Sequence, residues 1–144
     1  MKKKKEIINL NYRLNQVFFK KGKLSKIDFL MDKVYFLLTK KTEKNAFKII
    51  NQAIINIKPI FLLTNKKIGK RVIIKPFLIL SDYSRKSIGL KWILQTALKK
   101  KGNLYENLYL EFLDAFYDKG IVKKRQLDLY ETVLENRSNI KYRW

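Results

Sequence analysis

The sequence predicts a mainly helical α+β fold: about six helices with one protruding two-stranded antiparallel hairpin between the third and fourth. Three observations carry this. Apolar residues recur at helical spacing in most segments. Two β-rich runs, Ile60–Thr64 and Val72–Leu80, flank Asn65-Lys66-Lys67-Ile68-Gly69-Lys70-Arg71, where Gly69 supplies a residue that takes positive φ without strain. Pro59 stops the preceding helix and pushes Lys58 toward extended geometry.

Residues 1–22 are expected to form a basic N-terminal segment with a short helix near Leu10–Lys21, ended by Gly22. Residues 23–144 are expected to form a single helical domain, with the hairpin arm at about 59–80. Ser25 is placed as the cap of a helix over Lys26–Lys40, with Ile27, Leu30, Met31, Val34, Leu37 and Leu38 on one face. Thr42 is placed as the cap of the next, Glu43–Ile57, with Ala46, Phe47, Ile50, Ala53, Ile54 and Ile57 inward. Pro76 donates no ladder hydrogen bond, which confines its strand to an edge or turns that position to solvent. After the hairpin, Ser84-Arg85-Lys86-Ser87 opens a helix to Lys101 with Leu90, Leu94, Ala97 and Leu98 at helical spacing. Asn103 caps Leu104–Lys119, which carries no Lys or Arg before Asp118 and is expected to face a protein neighbour or point away from any polyanion. A last helix, near Val122–Arg137, opens on Lys123-Lys124-Arg125. Cations at a helix start oppose its dipole and suggest an external anion.

Composition bounds the partner. The chain has 144 residues, and Lys+Arg 33 against Asp+Glu 12 gives a formal charge of +21. From residue 103 onward seven cations balance seven acids, so the whole excess lies in residues 1–102. Such an excess opposes its own compaction unless an anion neutralises it, and nucleic acid is the commonest such anion. Without Cys or His there is no thiol nucleophile, no disulfide and no imidazole to activate Ser or Thr. The five glycines are isolated, so no loop cradles phosphate, and no cluster has metal-ligand spacing. Glu111 and Asp114 share a helical face and are expected to form an exposed acidic surface rather than an acid–base pair. No enzyme activity, cofactor, metal or small-molecule substrate is expected. The lysine-rich start lacks the pattern of a secretion or import leader, so the chain is expected to work where it is made.

The candidate phosphate contacts are Lys20, Lys21 and Lys23; Arg85, Lys86 and Lys91; and Lys123, Lys124 and Arg125. Lys66, Lys67, Lys70 and Arg71 form a basic hairpin tip. Tyr142, Arg143 and Trp144 offer rings and a guanidinium able to stack on unpaired bases. On the residues alone, a DNA-binding protein with a basic β-arm is the alternative. Peripheral membrane binding, which needs a helix with a basic face beside an exposed apolar one, is a third class.

The run from Ala53 to Trp144 resembles the small ribosomal subunit protein 7 family. Ala53-Ile54-Ile55-Asn56-Ile57-Lys58-Pro59 looks like that family's helix end before its hairpin. Ile68-Gly69 and Pro76 sit where the family has a hairpin glycine and a returning-strand proline. Arg85-Lys86-Ser87-Ile88-Gly89-Leu90-Lys91-Trp92-Ile93 is similar to its "ALRWL" helix, Gly120-Ile121-Val122-Lys123-Lys124-Arg125 to "GxAVKKR", and Asn136-Arg137 through Lys141-Tyr142-Arg143-Trp144 to the terminal "NR…YRW". Gly22-Lys23-Leu24-Ser25 is similar to "GKKS", with Leu24 departing. Lys70 replaces a second hairpin glycine, and the last helix carries about one extra residue and lacks the family's His and Met.

The resemblance implies a structural ribosomal protein that binds rRNA of the small-subunit head and helps nucleate its assembly, beside neighbouring head proteins. It implies a hairpin that approaches exit-site tRNA and the mRNA path. Carried over, Lys66, Lys67, Lys70 and Arg71 are the reaching arm. Lys20, Lys21, Lys23, Arg85, Lys86, Lys91, Lys123, Lys124, Arg125 and Arg143 hold rRNA, and Tyr142 and Trp144 close the domain or stack on RNA. The richness in Lys, Asn, Ile, Phe and Tyr suggests an A+T-rich genome, hence a mitochondrial ribosome, with plastid or bacterial cytoplasm as alternatives.

Overall fold

A computed structural model describes residue 14, residues 16–18 and residues 24–141. Residues 14 and 16–18 are helical and belong to a first helix, α1. There follow α2 (Leu24–Thr42), α3 (Ala46–Ile57), β1 (Phe61–Ile68), β2 (Arg71–Leu78), α4 (Asp82–Lys99), α5 (Leu104–Phe116), α6 (Gly120–Glu135) and a 3-10 turn, Arg137–Lys141. The hairpin thus falls between the third and fourth helices of a mainly helical fold, as the sequence predicts.

The core is built by stripes the spacing foretold. Met31, Val34 and Leu38 of α2, Ile50, Ala53, Ile54 and Ile57 of α3, Leu90, Ile93 and Ala97 of α4, and Leu108 and Phe112 of α5 are buried together with Leu14 and Phe18. Each fully buried Leu, Ile or Phe contributes about 1.5–3 kcal/mol relative to its exposed state. Helix α5 lies at the centre, packing on α2, α3, α4 and α6. Buried Gly89 sets α4 against the end of α3, where even a Cβ would make only ordinary van der Waals contact, 3.6 Å, with the Lys58 backbone.

Boundaries differ from expectation where a competing bond wins. Ser25 is inside α2 rather than its cap. Thr42 ends α2, its hydroxyl donating back to the Leu38 carbonyl, and Asn45 caps α3 by accepting from the Phe47 N–H at 2.9 Å. Glu43 between them takes φ 54°, which breaks the helical path. Ser81 rather than Ser84 caps α4, accepting from the Ser84 N–H. Leu98, expected inward on α4, is 57% exposed. Helix α6 begins at Gly120 itself, with Lys119 as its cap residue. The hairpin ladder runs from Phe61↔Leu78 to Ile68↔Arg71, so most of the expected 65–71 loop is strand and only Gly69-Lys70 turns. Gly69 takes φ 59° and Lys70 needs no positive φ, so a lysine there costs nothing that a second glycine would avoid.

Four groups fasten the base of the hairpin and a fifth its middle. Tyr130 of α6 accepts from the Ile60 N–H at 3.2 Å, and Arg85 Nε donates to the Ile79 carbonyl at 2.6 Å. Buried Gln126 donates to the Ile57 and Lys58 carbonyls at 3.0 and 3.3 Å, satisfying the end of α3. Asn139 of the 3-10 turn donates to the Ile74 carbonyl at 2.9 Å. Asp82 pairs with both Lys58 and Lys86 at 2.8 Å.

Candidate nucleic-acid interface

The hairpin tip carries exposed Lys67, Lys70 and Arg71, with Lys66 half-buried. Outward of the Asn139–Ile74 bond lie the pairs Lys66↔Ile73, Lys67↔Val72 and Ile68↔Arg71. At about 3.3 Å per residue these extend the ribbon roughly 10 Å beyond its last prop. A two-stranded ribbon is marginal alone, so its orientation comes from the helices that hold its base.

The other cations divide into exposed and engaged. Lys91 and Lys124 are exposed. Arg85 is half-buried and spends its Nε on the Ile79 carbonyl, so part of its guanidinium serves the fold. Lys86 is held by Asp82. Lys123 lies 2.7 Å from Asp118 and donates to the Asn56 carbonyl, so one of the three cations at the start of α6 is engaged within the chain. Arg125 hydrogen-bonds the Gln95 side chain at 2.9 Å, with its guanidinium 4.9 Å from the centre of the buried Trp92 ring. A guanidinium so pinned is pre-set for a planar or phosphate contact. Lys20, Lys21, Lys23, Tyr142, Arg143 and Trp144 lie outside the described residues.

Asp82 is the anionic knot beneath the arm. Hydrogen bonds from Lys58 and Lys86 lower its pKa from the ordinary 3.8 to about 2. Tyr35 moves the other way, to about 12, because burial and then the Asp32 carboxylate disfavour its phenolate.

The expected exposed acidic face on α5 does not form at Glu111, which is 1% exposed. Lys100 lies 2.6 Å from its Oε1, an ion pair without hydrogen-bond alignment. Tyr109 on the same helix is buried as well. Lysines from α2 and the loop after it lie over the rings of α5: Lys33 over Tyr105 at 5.0 Å, Lys41 over Tyr109 at 5.1 Å and Lys44 over Phe116 at 5.8 Å. This side of α5 therefore does not face away from positive charge, although its own sequence carries none.

One surface escaped the sequence reading. Phe29 and Phe36 on α2 are exposed, with Lys33 Nζ 4.3 Å from the Phe29 ring centre and Lys40 Nζ 5.8 Å from that of Phe36. The available signal was the seven-residue spacing of Phe29 and Phe36 and of Lys26, Lys33 and Lys40. Among the described residues no group of His, Cys, Asp and Glu could hold a metal ion, and no helix is long and apolar enough to cross a membrane.

Known proteins resemble this chain over most of its length. The family model described as Ribosomal protein S7p/S5e matches residues 2–137. The chain is 29% identical over 132 residues to small ribosomal subunit protein uS7 of Kosmotoga olearia, covering 91% of this chain and 84% of that protein. It is 32% identical over 122 residues to small ribosomal subunit protein uS7m of Dictyostelium discoideum, covering 84% of this chain and 75% of that one.

Proposed function

The chain belongs to the ribosomal protein S7p/S5e family, as a structural constituent of the small ribosomal subunit and not an enzyme, and from that premise we propose what it holds there. It binds rRNA of the subunit head, the 3′ major domain, and helps nucleate head assembly beside neighbouring head proteins. Its arm, tipped by Lys66, Lys67, Lys70 and Arg71, approaches the exit-site tRNA and the mRNA path. The observation that carries this reading is the hairpin itself: polar anchors hold its base and middle, and four cations, three of them exposed, crowd its tip. Exposed Lys91 and Lys124 and the pinned Arg125 give rRNA its phosphate contacts on the body, with Lys20, Lys21, Lys23 and Arg143 adding charge from the two ends. Arg85, Lys86 and Lys123 contribute through the cationic groups their internal partners leave facing out. Tyr142 and Trp144 stack on RNA or close the domain.

We place the protein in the mitochondrial ribosome. The support is the residue bias of the chain together with its similarity to uS7m of Dictyostelium discoideum. A bacterial or plastid ribosome is the alternative, since uS7 of Kosmotoga olearia is matched over more of the chain.

Gradient sedimentation of a native lysate tests the assignment, with co-migration alongside the small subunit expected. The joint replacement of Lys66, Lys67, Lys70 and Arg71 by Ala should leave helical circular dichroism and incorporation intact while weakening exit-site tRNA retention. Unchanged tRNA retention would remove the arm from that role. A DNA-binding protein would instead favour duplex DNA over structured rRNA in a gel shift.

A further inference from the structure

Phe29 and Phe36 are 62% and 63% exposed, the most open phenylalanines among the described residues. They lie seven residues apart on α2, about two turns, so both rings point to one side roughly 10 Å apart along the axis. Lys26, Lys33 and Lys40 recur at the same interval and, at 100° per residue, form a row on one flank of the rings. Asp28 and Asp32 fall on the opposite flank. All five of these charged residues are exposed.

We propose that this face of α2 is a stacking platform for an unpaired RNA strand, with bases on Phe29 and Phe36 and phosphates along Lys26, Lys33 and Lys40. The inference rests on the reading of the chain as an RNA-binding ribosomal protein and adds a surface separate from the hairpin tip and the clusters at Arg85 and Lys123. A strand has two unlike edges, phosphate and base, and this face has two unlike rows in the matching order. The carboxylate of exposed Asp32 sits on the base side, where exocyclic amino groups can donate to it and phosphates do not come. Rings stack only on bases whose faces are open, which selects a single strand over a duplex. Exposed ammonium–ring contacts such as Lys33 on Phe29 are weak, so an arriving phosphate can take the ammonium and leave the ring face to the base. A protein partner fits less well, because lysine is depleted and not enriched in protein–protein contact surfaces.

The test measures fluorescence anisotropy of the full chain with a labelled oligouridylate, a fully paired RNA duplex and a structured rRNA fragment. The Phe29→Leu/Phe36→Leu variant keeps apolar volume and removes the π faces. It should weaken oligouridylate binding about fivefold per ring, the lower end of measured base–aromatic stacking, and leave the duplex unchanged. Lys33→Gln/Lys40→Gln should weaken both and flatten the salt dependence. A photo-crosslinking phenylalanine analogue at position 36, carried into the intact subunit, should capture RNA. The proposal is overturned if the leucine variant, with native circular dichroism, binds oligouridylate as the parent does or loses duplex binding equally. Capture of a protein, or of nothing, at position 36 overturns it too. A parent chain that binds none of the three RNAs at low salt would instead remove the RNA-binding reading on which the inference stands.

Discussion

Gly120 sits where α5 hands over to α6, at φ +88°, and a Cβ there would stand 2.9 Å from the Asp114 Cβ. An L-residue at this position carries both backbone strain and a clash with an atom that cannot swing away. Gly120→Ala should therefore cost about 2–4 kcal/mol in urea denaturation, and a loss under about 1 kcal/mol would show that the turn relaxes freely. Asp82 behaves differently, because its contribution depends on pH. Its folded-state pKa is depressed from 3.8 to about 2 by Lys58 and Lys86, so the stabilisation is complete above about pH 4 and is lost as pH falls through 2. Its side chain is half exposed, so solvent screening keeps the effect small. Asp82→Asn should flatten the dependence of stability on pH between about 4 and 2, as read from denaturation midpoints; an unchanged slope would mean that the two ammonium contacts do not persist in solution.

At the scale of elements, the arm is steered by polar contacts to its base and middle. The 3-10 turn Arg137–Lys141 packs on β2, and its Asn139 bonds the Ile74 carbonyl. Asn139→Ala removes the bond to Ile74, of about 1 kcal/mol, together with one to the Asn136 side chain inside the turn, so hairpin amides should exchange about fivefold faster while amides of α3 and α5 keep their protection. Equal acceleration in both sets would make Asn139 a support of the whole fold and not a prop for the arm. Element types and order were legible in the sequence because the 3.6-residue period and the Gly69 turn act locally. Cap positions were less so: Thr42 and Asn45 both suit an N-cap, and the decision came from the Thr42 hydroxyl turning back to Leu38. The strand ends were hidden for a related reason, since cations at Lys66, Lys67 and Arg71 look like loop but pair as readily as apolar residues on a ribbon open to water.

For the whole molecule, the +21 charge governs behaviour in solution. Self-repulsion opposes compaction, so added salt should raise the Tm of the free protein, the reverse of what a fold resting on surface ion pairs would show. Binding to RNA should respond oppositely: with ~6–10 phosphate contacts, affinity falls on the order of 10³–10⁵ between 50 and 200 mM salt. An affinity insensitive to salt would mean that phosphates are not the principal contacts. Of the candidate cations, Lys67, Lys70, Arg71, Lys91 and Lys124 are exposed and Lys66 is half-buried. Arg85 and Lys123 did not read as internal partners, because Ile79 and Asp118 come to them through turns, whereas Lys86 meets Asp82 one helical turn away within α4, whose start lay earlier than expected.

Composition, period and short motifs by themselves determined that this chain is a helical, strongly basic protein with one hairpin and the stamp of a ribosomal family. Those properties are local or additive: a helix stripe, a turn glycine and a net charge need no distant residue to exist. Only the tertiary structure decided that Arg125 lies over the Trp92 ring, that Glu111 is buried beside Lys100, and that lysines of α2 lie over the rings of α5. Each of those depends on two segments meeting, and side chains far apart in sequence acquire a relation only when the core between them closes.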